Sequence, residues 1–446
     1  MTKTDALDLL TSLIEKAKAA GADAADAVLF ESVSLSHAQR LGKVEKLERE
    51  ESKDLGLRVF QGQRQAFVSS TDLNSETIDS LVDQAVAMAG SVPEDPYCGL
   101  AGSDQIAKEF PVLEIFDPQE PSADSMIAQA SACEDAARAV SGITNSEGAE
   151  SNWGRSGITL VTSNGFQGNY MRSSHSIGVS VLAGEGQGME RDYEFTSTVF
   201  GEDLQDPAEV GRSAGERAVR RLGATKPKTG KFPVVFDPRV SSSLLGHMAG
   251  AISGPAIARG TSFLKDRLES QIFADGIQII DDPHRARGMR SKPFDAEGLA
   301  NRKTQVVENG ILKTWIMDLS SAKQLGLQST GHAARGTSGP PGPSTTNLYM
   351  APGEKSPQEL IGEIEEGFYV NELMGMGVNG VTGDYSRGAA GFWIHQGQLA
   401  HPISEATIAS NLKDIYMAVT QASDLTFKYG TNAPTLRVDG MTVAGA

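Results

Sequence analysis

The chain is poor in the residues that staple small folds or build metal centres. Its 446 residues include two cysteines, three tryptophans and seven histidines. Cys98 and Cys133 cannot form a disulfide framework, and a reducing compartment needs none. Cys133 continues an apolar helical stripe through Met126, Ala130, Ala137 and Val140, which reads as a buried structural thiol. No run of about 18 apolar residues occurs, so no membrane span is expected. Positive charge is also in deficit: 40 Lys and Arg face 57 Asp and Glu, a formal charge of −17. That balance disfavours nucleic acid and anionic lipid as partners. No internal repeat is evident. Acidic residues interrupt the apolar pattern of the first 26 positions, which argues against a secretory signal and for the cytoplasm.

What is present is a soluble-protein composition and a legible order of elements. Ala6, Leu9, Leu10, Leu13, Ile14 and Ala17 follow helical spacing, and Gly21 stops the run. Residues 27–39 read as a strand, and 56–60 with 65–69 as a hairpin around a QGQR turn. Asn74 can cap a helix reaching about residue 89. The Pro-containing stretch 91–121 is too long for an ordinary loop and is expected to wrap the surface. A helix over 123–140 and strands over 143–200 follow, with Asn164–Gly165 as a hairpin turn. Asp206, Pro207 and Glu209 open one more helix, which ends near Gly223. A short strand at 232–236, a helix, and many short strands with Gly and Pro turns come after it, which suggests a curved sheet. The expected fold class is α+β in two domains. The first, an α/β-sheet domain, covers 1–225, and a β-rich, barrel-like domain covers 230–446.

Several motifs look chemical and have plainer readings. Gly211–Arg212–Ser213–Ala214–Gly215 matches G-x-S-x-G, but lies inside a predicted helix rather than at a strand-to-helix turn, so its glycines suit close packing. Residues 375–380 match G-x-G-x-x-G, but the following VTGDYSRGAAG cannot hold the helix that a dinucleotide site requires, so tight turns are expected. The glycines at 184–188 read as a loop, and Gly230–Lys231 lacks the rest of a phosphate loop. No two histidines have the helical i, i+4 spacing of a zincin. His395 and His401 flank the turn at 396–398 and could face each other, though a metal there needs a third ligand. Asp237 can cap a helix on which Val240, Leu244, His247 and Ala251 share a face, so His247 is expected to be buried or to line a cleft, with a backbone partner as the plain reading.

The densest signal lies between 294 and 411. It comprises FDAEG at 294–298, STGHAARG at 329–336, TNLYMAPGE at 346–354 and GMGVNGVTGDYSRGAAGFWIHQG at 375–397. Gly interleaved with Asp, Tyr, Arg and aromatics marks sharp turns and close backbone contacts in ordered β structure. These blocks resemble the TldD/PmbA family, and within it the PmbA (TldE) branch. GLRVFQGQRQAFVSSTDLN at 56–74 and the last strands from 428 onward extend the resemblance over most of the chain.

The resemblance implies a metallopeptidase group in which TldD-type chains carry HExxxH on a helix early in the second domain. The two histidines and a C-terminal cysteine hold zinc, and the glutamate is the base. Aligned with that motif, Gly246 stands for the first histidine, His247 for the glutamate and Ala251 for the second histidine. No cysteine lies beyond Cys133, so the third ligand is missing too. No catalytic residue, metal ligand or cofactor is therefore expected in this chain. The resemblance further implies a heterodimer with a TldD-like catalytic subunit that carries the zinc and encloses unfolded peptide substrates. Two other readings stay open: a hydrolase built around His247, His284 or the His395/His401 hairpin, and a non-catalytic, peptide-binding homodimer.

Overall fold

The computed structural model describes residues 2–445; positions 1 and 446, the outer ends of the two expected domains, lie outside the described residues. Helix α1 (Lys3–Ala19) starts at a capping box, in which Thr2 Oγ1 accepts from the Asp5 amide and the Asp5 carboxylate accepts from the Thr2 amide. Strands β1 (Ala24–Arg40), β2 (Lys43–Gln61) and β3 (Arg64–Ser70) follow, then α2 (Ser75–Ser91), capped by Asn74. After the stretch 92–122 come α3 (Ala123–Arg138), β4 (Ile143–Thr162), β5 (Gln167–Ala183), β6 (Glu190–Thr198) and α4 (Pro207–Arg220). The six strands form one antiparallel sheet in the order β3-β2-β1-β4-β5-β6.

This order corrects one sequence reading. The succession helix, three strands, helix occurs twice, and the two copies meet where β1 pairs antiparallel with β4. The repeat lies in topology and burial rather than in residue identity, so self-comparison of the sequence does not expose it. Each copy has its own core. Leu10, Leu13, Leu29, Leu57 and Leu81 fill the first, and the smaller Cys133, Ala137, Val179, Val181 and Ala214 fill the second. The hairpin is also longer than its pattern suggested, since β2 begins at Lys43 instead of near residue 56. Residues 43–51 are exposed throughout. No alternation of apolar and polar residues marks them as strand, and pairing with β1 (His37 opposite Leu47) holds them extended.

The second half contains β7 (Gly230–Phe236), α5 (Pro238–Ala251), α6 (Gly254–Ala258), β8 (Ile279–Asp281), β9 (Thr304–Glu308), β10 (Ile311–Leu312), α7 (Leu319–Leu325), β11 (Ala333–Ala334), β12 (Gly342–Pro343) and β13 (Leu348–Met350). It continues with α8 (Pro357–Gly362), β14 (Glu366–Met374), β15 (Asp384–His395), β16 (Gln398–Asn411), α9 (Leu412–Ala418), β17 (Val419–Gln421), β18 (Thr431–Asn432) and β19 (Leu436–Gly445). The expected curved sheet is a closed barrel. Its strands run β7, β14, β15, β16, β19, and pairing of β16 with β19 (Ala406 opposite Gly445) completes the ring. Closure demands bends, and register shifts in β14, β15 and β16 supply them. At one of these, a Cβ on Gly391 would lie 1.9 Å from the Tyr369 carbonyl oxygen, so only glycine fits. A smaller sheet, β10-β9-β8-β13-β18, packs beside the barrel on the core shared with α5.

The halves are tied by polar and aromatic contacts. Asp26 on β1 is buried between Arg58 on β2 and Arg335 from the second half. Phe294 packs edge-on against Phe166 at 4.9 Å and Tyr170 at 5.3 Å. The stretch 92–122 wraps as expected and bridges both halves, with the Ala107 amide donating to the Gly298 carbonyl at 2.9 Å.

Candidate functional site

Helix α5 positions the residues aligned with the zinc motif. Asp237 caps it by accepting from the Arg239 amide at 2.8 Å, and the Tyr369 hydroxyl donates to the other carboxylate oxygen at 2.6 Å. Val240, Leu244, Leu245 and Met248 are buried and set the rotation of the helix. Gly246, His247 and Ala251 are thereby brought together on one wall of a cavity of about 290 Å³, opposite Phe263, Val378 and Arg387. A Cβ on Gly246 or Gly250 would meet nothing within 4 Å, so the helix leaves open space there.

His247 is half-buried and lines the cavity, but the backbone partner expected for it is not found among the described residues: its Nε2 has no hydrogen bond to them, and neither does the buried Tyr385 hydroxyl. The two rings meet edge to face at 6.1 Å. Burial first, and the Arg387 charge second, hold the imidazole below its ordinary pKa, so it is neutral at pH 7. A hydrogen, one imidazole and a methyl group beside a guanidinium do not fit zinc, which needs at least three N, S or O donors and is repelled by a neighbouring cation. Among the described residues, no three His, Cys, Asp or Glu side chains gather into a group able to hold a metal.

The other histidines stand apart from this cavity. His395 lies opposite Gln398 in the β15–β16 register and contacts Glu366 at 3.0 Å, so it does not face His401. His284 contacts the Asn301 side chain at 2.7 Å, and buried His332 lies 3.2 Å from Asp281. Ser213 lies within α4, where Cβ atoms on Gly211 and Gly215 would strike the Cys133 carbonyl at 2.0 Å and the Val140 side chain at 2.7 Å. The G-x-S-x-G match is a helix-packing device. Gly375 takes φ +76°, and a Cβ on Gly377 would lie 2.0 Å from the Ser386 carbonyl, so residues 375–380 form the tight turns expected. Burial pushes the Cys133 thiol up to about 12 and raises Cys98 as well, which leaves both unreactive at neutral pH.

Sequence reasoning missed a second constellation, between the halves. The FDAEG block supplies two buried carboxyls. Asp295 accepts from the amides of Glu297 and Leu299, both at 2.9 Å, and of Ala333 at 3.2 Å. Burial, and next the neighbouring Asp295 charge, push Glu297 up to about 8, while it accepts from the Leu319 amide at 2.8 Å. Lys292 is depressed by burial and donates to the Ala333 carbonyl at 2.7 Å. The cue available in the sequence was the pairing of charged residues with glycine and aromatics in these blocks, but nothing local shows that they meet a face of the first sheet.

Comparison with known proteins agrees with this architecture. The chain matches PmbA/TldA metallopeptidase domain 1 over residues 25–89, the central domain over 116–222 and the C-terminal domain over 229–445. It is 36% identical to Metalloprotease PmbA of Escherichia coli O157:H7, over 95% of this chain and 92% of that protein. It is 35% identical to a Metalloprotease PmbA homolog of Haemophilus influenzae, over 97% and 94% of the two chains. A crystal structure from Bacteroides thetaiotaomicron, described as a candidate modulator of DNA gyrase, superposes with a TM-score of 0.91 at 27% identity over 98% of both chains. TldE of Thermococcus kodakarensis shares the fold, with a TM-score of 0.88 at 19% identity over 98% of this chain and 100% of that one. With all three domain types in sequence and similarity along nearly the whole length, the chain belongs to the PmbA/TldD family of metallopeptidases.

Proposed function

We propose that this chain is the PmbA/TldE-type subunit of a two-chain peptidase, non-catalytic by itself, and that a TldD-like partner supplies the zinc and the base. The observation that carries the reading is the α5 cavity. At the positions aligned with the family's zinc motif it offers Gly246, a neutral His247 and Ala251, with Arg387 lining the same cavity. Zinc-assisted activation of a water needs an ion held there, and these three positions offer one donor side chain to hold it. The subunit's contribution would then be the shape of the chamber and the placement of an unfolded peptide, through main-chain hydrogen bonds at exposed strand edges.

Metal analysis and peptide cleavage, run on the isolated chain and on its mixture with the TldD-like chain, test the reading. Alone, the chain should hold far less than one zinc per molecule and leave an unfolded peptide intact. The mixture should cut that peptide in an EDTA-sensitive way. One zinc per isolated chain together with cleavage would reject the proposal. A stable homodimer that binds peptide and ignores the TldD-like chain would favour a binding protein instead.

A further inference from the structure

Between the first sheet and the loops of the second half lies a cavity of about 510 Å³. Its floor is apolar, built by Phe30 on β1, Ile158 and Leu160 on β4, Tyr170 on β5, and Phe294. Its rim is cationic: Arg172 comes from β5, Arg290 and Lys292 from the segment before FDAEG, and Arg335 from the STGHAARG block. In a chain of net charge −17, four cations around one cavity would be expected to have acidic partners.

They mostly do not. Arg172 donates to the Met289 carbonyl at 2.8 Å and Lys292 to the Ala333 carbonyl at 2.7 Å; neither these two nor Arg290 forms an ion pair among the described residues. Arg335 is paired with Asp26, yet its Nη2 has no partner among the described residues although the side chain is only 1% exposed. The one carboxyl in the wall, Asp295, accepts from three backbone amides and its charge faces Lys292, which leaves Arg172 and Arg290 without an acidic partner among the described residues. A buried guanidinium N–H without an acceptor costs stability, and uncompensated cations in a recess repel one another. An anion in the cavity would relieve the repulsion, and the forked donors of arginine match the two oxygens of a carboxylate. The ring-lined floor asks that this anion carry an apolar group, and the volume suits a ligand of two or three residues.

We propose that the cleft binds a carboxylate on an apolar body, namely the C-terminal end of a peptide whose last side chain is apolar. The carboxylate meets Arg172 and Arg290, with the buried Arg335 charge behind them, and the side chain lies against Phe30, Tyr170 and Phe294. The word peptide rests on the two-chain reading above; the carboxylate rests on the cleft alone. Calorimetric titration of the full, isolated chain with N-acetyl-Gly-Gly-Phe tests it. The free acid should bind with a Kd below about 1 mM. Its C-terminal amide, and the variants Arg172→Met and Arg290→Met titrated with the free acid, should each bind roughly tenfold more weakly, the scale of one charge-assisted hydrogen bond. Among the described residues the Arg290 side chain makes no ion pair or hydrogen bond, so Arg290→Met should melt as the parent does and its lost binding is not lost folding. Arg172→Met also gives up the hydrogen bond to the Met289 carbonyl and should melt slightly lower. Arg290→Lys, which keeps charge but loses the fork, should fall between parent and Arg290→Met.

No binding of the free acid, or equal binding of acid and amide, overturns the proposal. So does inorganic phosphate that binds and is not displaced by the free acid. N-acetyl-Asp-Gly-Phe-amide distinguishes the source of the carboxylate: binding as tight as that of the free acid overturns the terminal assignment in favour of an acidic side chain, and weaker binding supports it. No partner chain is used, so failure here leaves the zinc and cleavage experiments untouched, and their failure leaves this one standing.

Discussion

At the scale of single residues, two buried carboxyls of opposite character dominate. Burial alone would raise the pKa of Asp26, but Arg58 and Arg335 outweigh it and hold the carboxylate below its ordinary value. Its stabilisation is therefore present above the unfolded pKa and is lost as pH falls through the folded one. Asp26→Ala leaves two guanidinium groups without their anion and should cost about 3–5 kcal/mol, read as a lower urea midpoint at pH 7. Glu297 works the other way. Its pKa rises from 4.5 to about 8, so between those pH values the folded chain keeps a proton that the unfolded chain releases. Stability must fall as pH climbs through that window, with an upper limit of about 5 kcal/mol. Glu297→Gln keeps an acceptor for the Leu319 amide and removes the titration. Melting temperatures measured from pH 6 to pH 8.5 should drop less for the variant than for the parent, and equal slopes would show that Glu297 is not the group responsible.

At the scale of elements, glycine sets how closely backbones approach. Helices α3 and α4 touch where Gly211 faces the Cys133 carbonyl and Gly215 faces Ala137 and Val140. Gly211→Ala must push the helices apart or strain them, at a cost of about 1–3 kcal/mol in a denaturant titration. Ser213→Ala, two residues on, should shift stability by less than about 0.5 kcal/mol. It should also leave cleavage by the mixed chains unchanged, because no base is hydrogen-bonded to this serine among the described residues. Loss of cleavage on removing that hydroxyl would revive the nucleophile reading.

At the scale of the whole molecule, buried charge crosses between the halves. Asp26 needs Arg335, Asp192 pairs with Arg239 at 2.8 Å, and Glu194 is held by Lys428 and Arg217. Separation would strand these ions and uncover the Phe166, Tyr170 and Phe294 cluster. The chain should thus unfold as one unit. Trp153 reports on the first sheet and Trp315 and Trp393 on the second half, so variants retaining only Trp153 or only Trp315 should give coincident urea transitions by fluorescence. Two separated midpoints would mean that the cross-half contacts contribute little.

Local chemistry in the sequence decides where a helix starts, and the caps at Asn74, Asp206 and Asp237 lie where side-chain acceptors precede apolar periodicity. Local steric demand also explains why the glycine at 391 marks a close backbone contact and those around 375–380 mark tight turns. That the side chains of Gly246 and Ala251 offer no donor atom is visible in the residues themselves. The duplicated topology, the exposed length of β2, the ring closed by β16 and β19, and the cationic cleft were decided only by tertiary structure. Each depends on which distant segments meet. Arg172 and Arg335 are 163 positions apart in the chain, and it is long-range burial and pairing, which no local pattern encodes, that places both on one cavity.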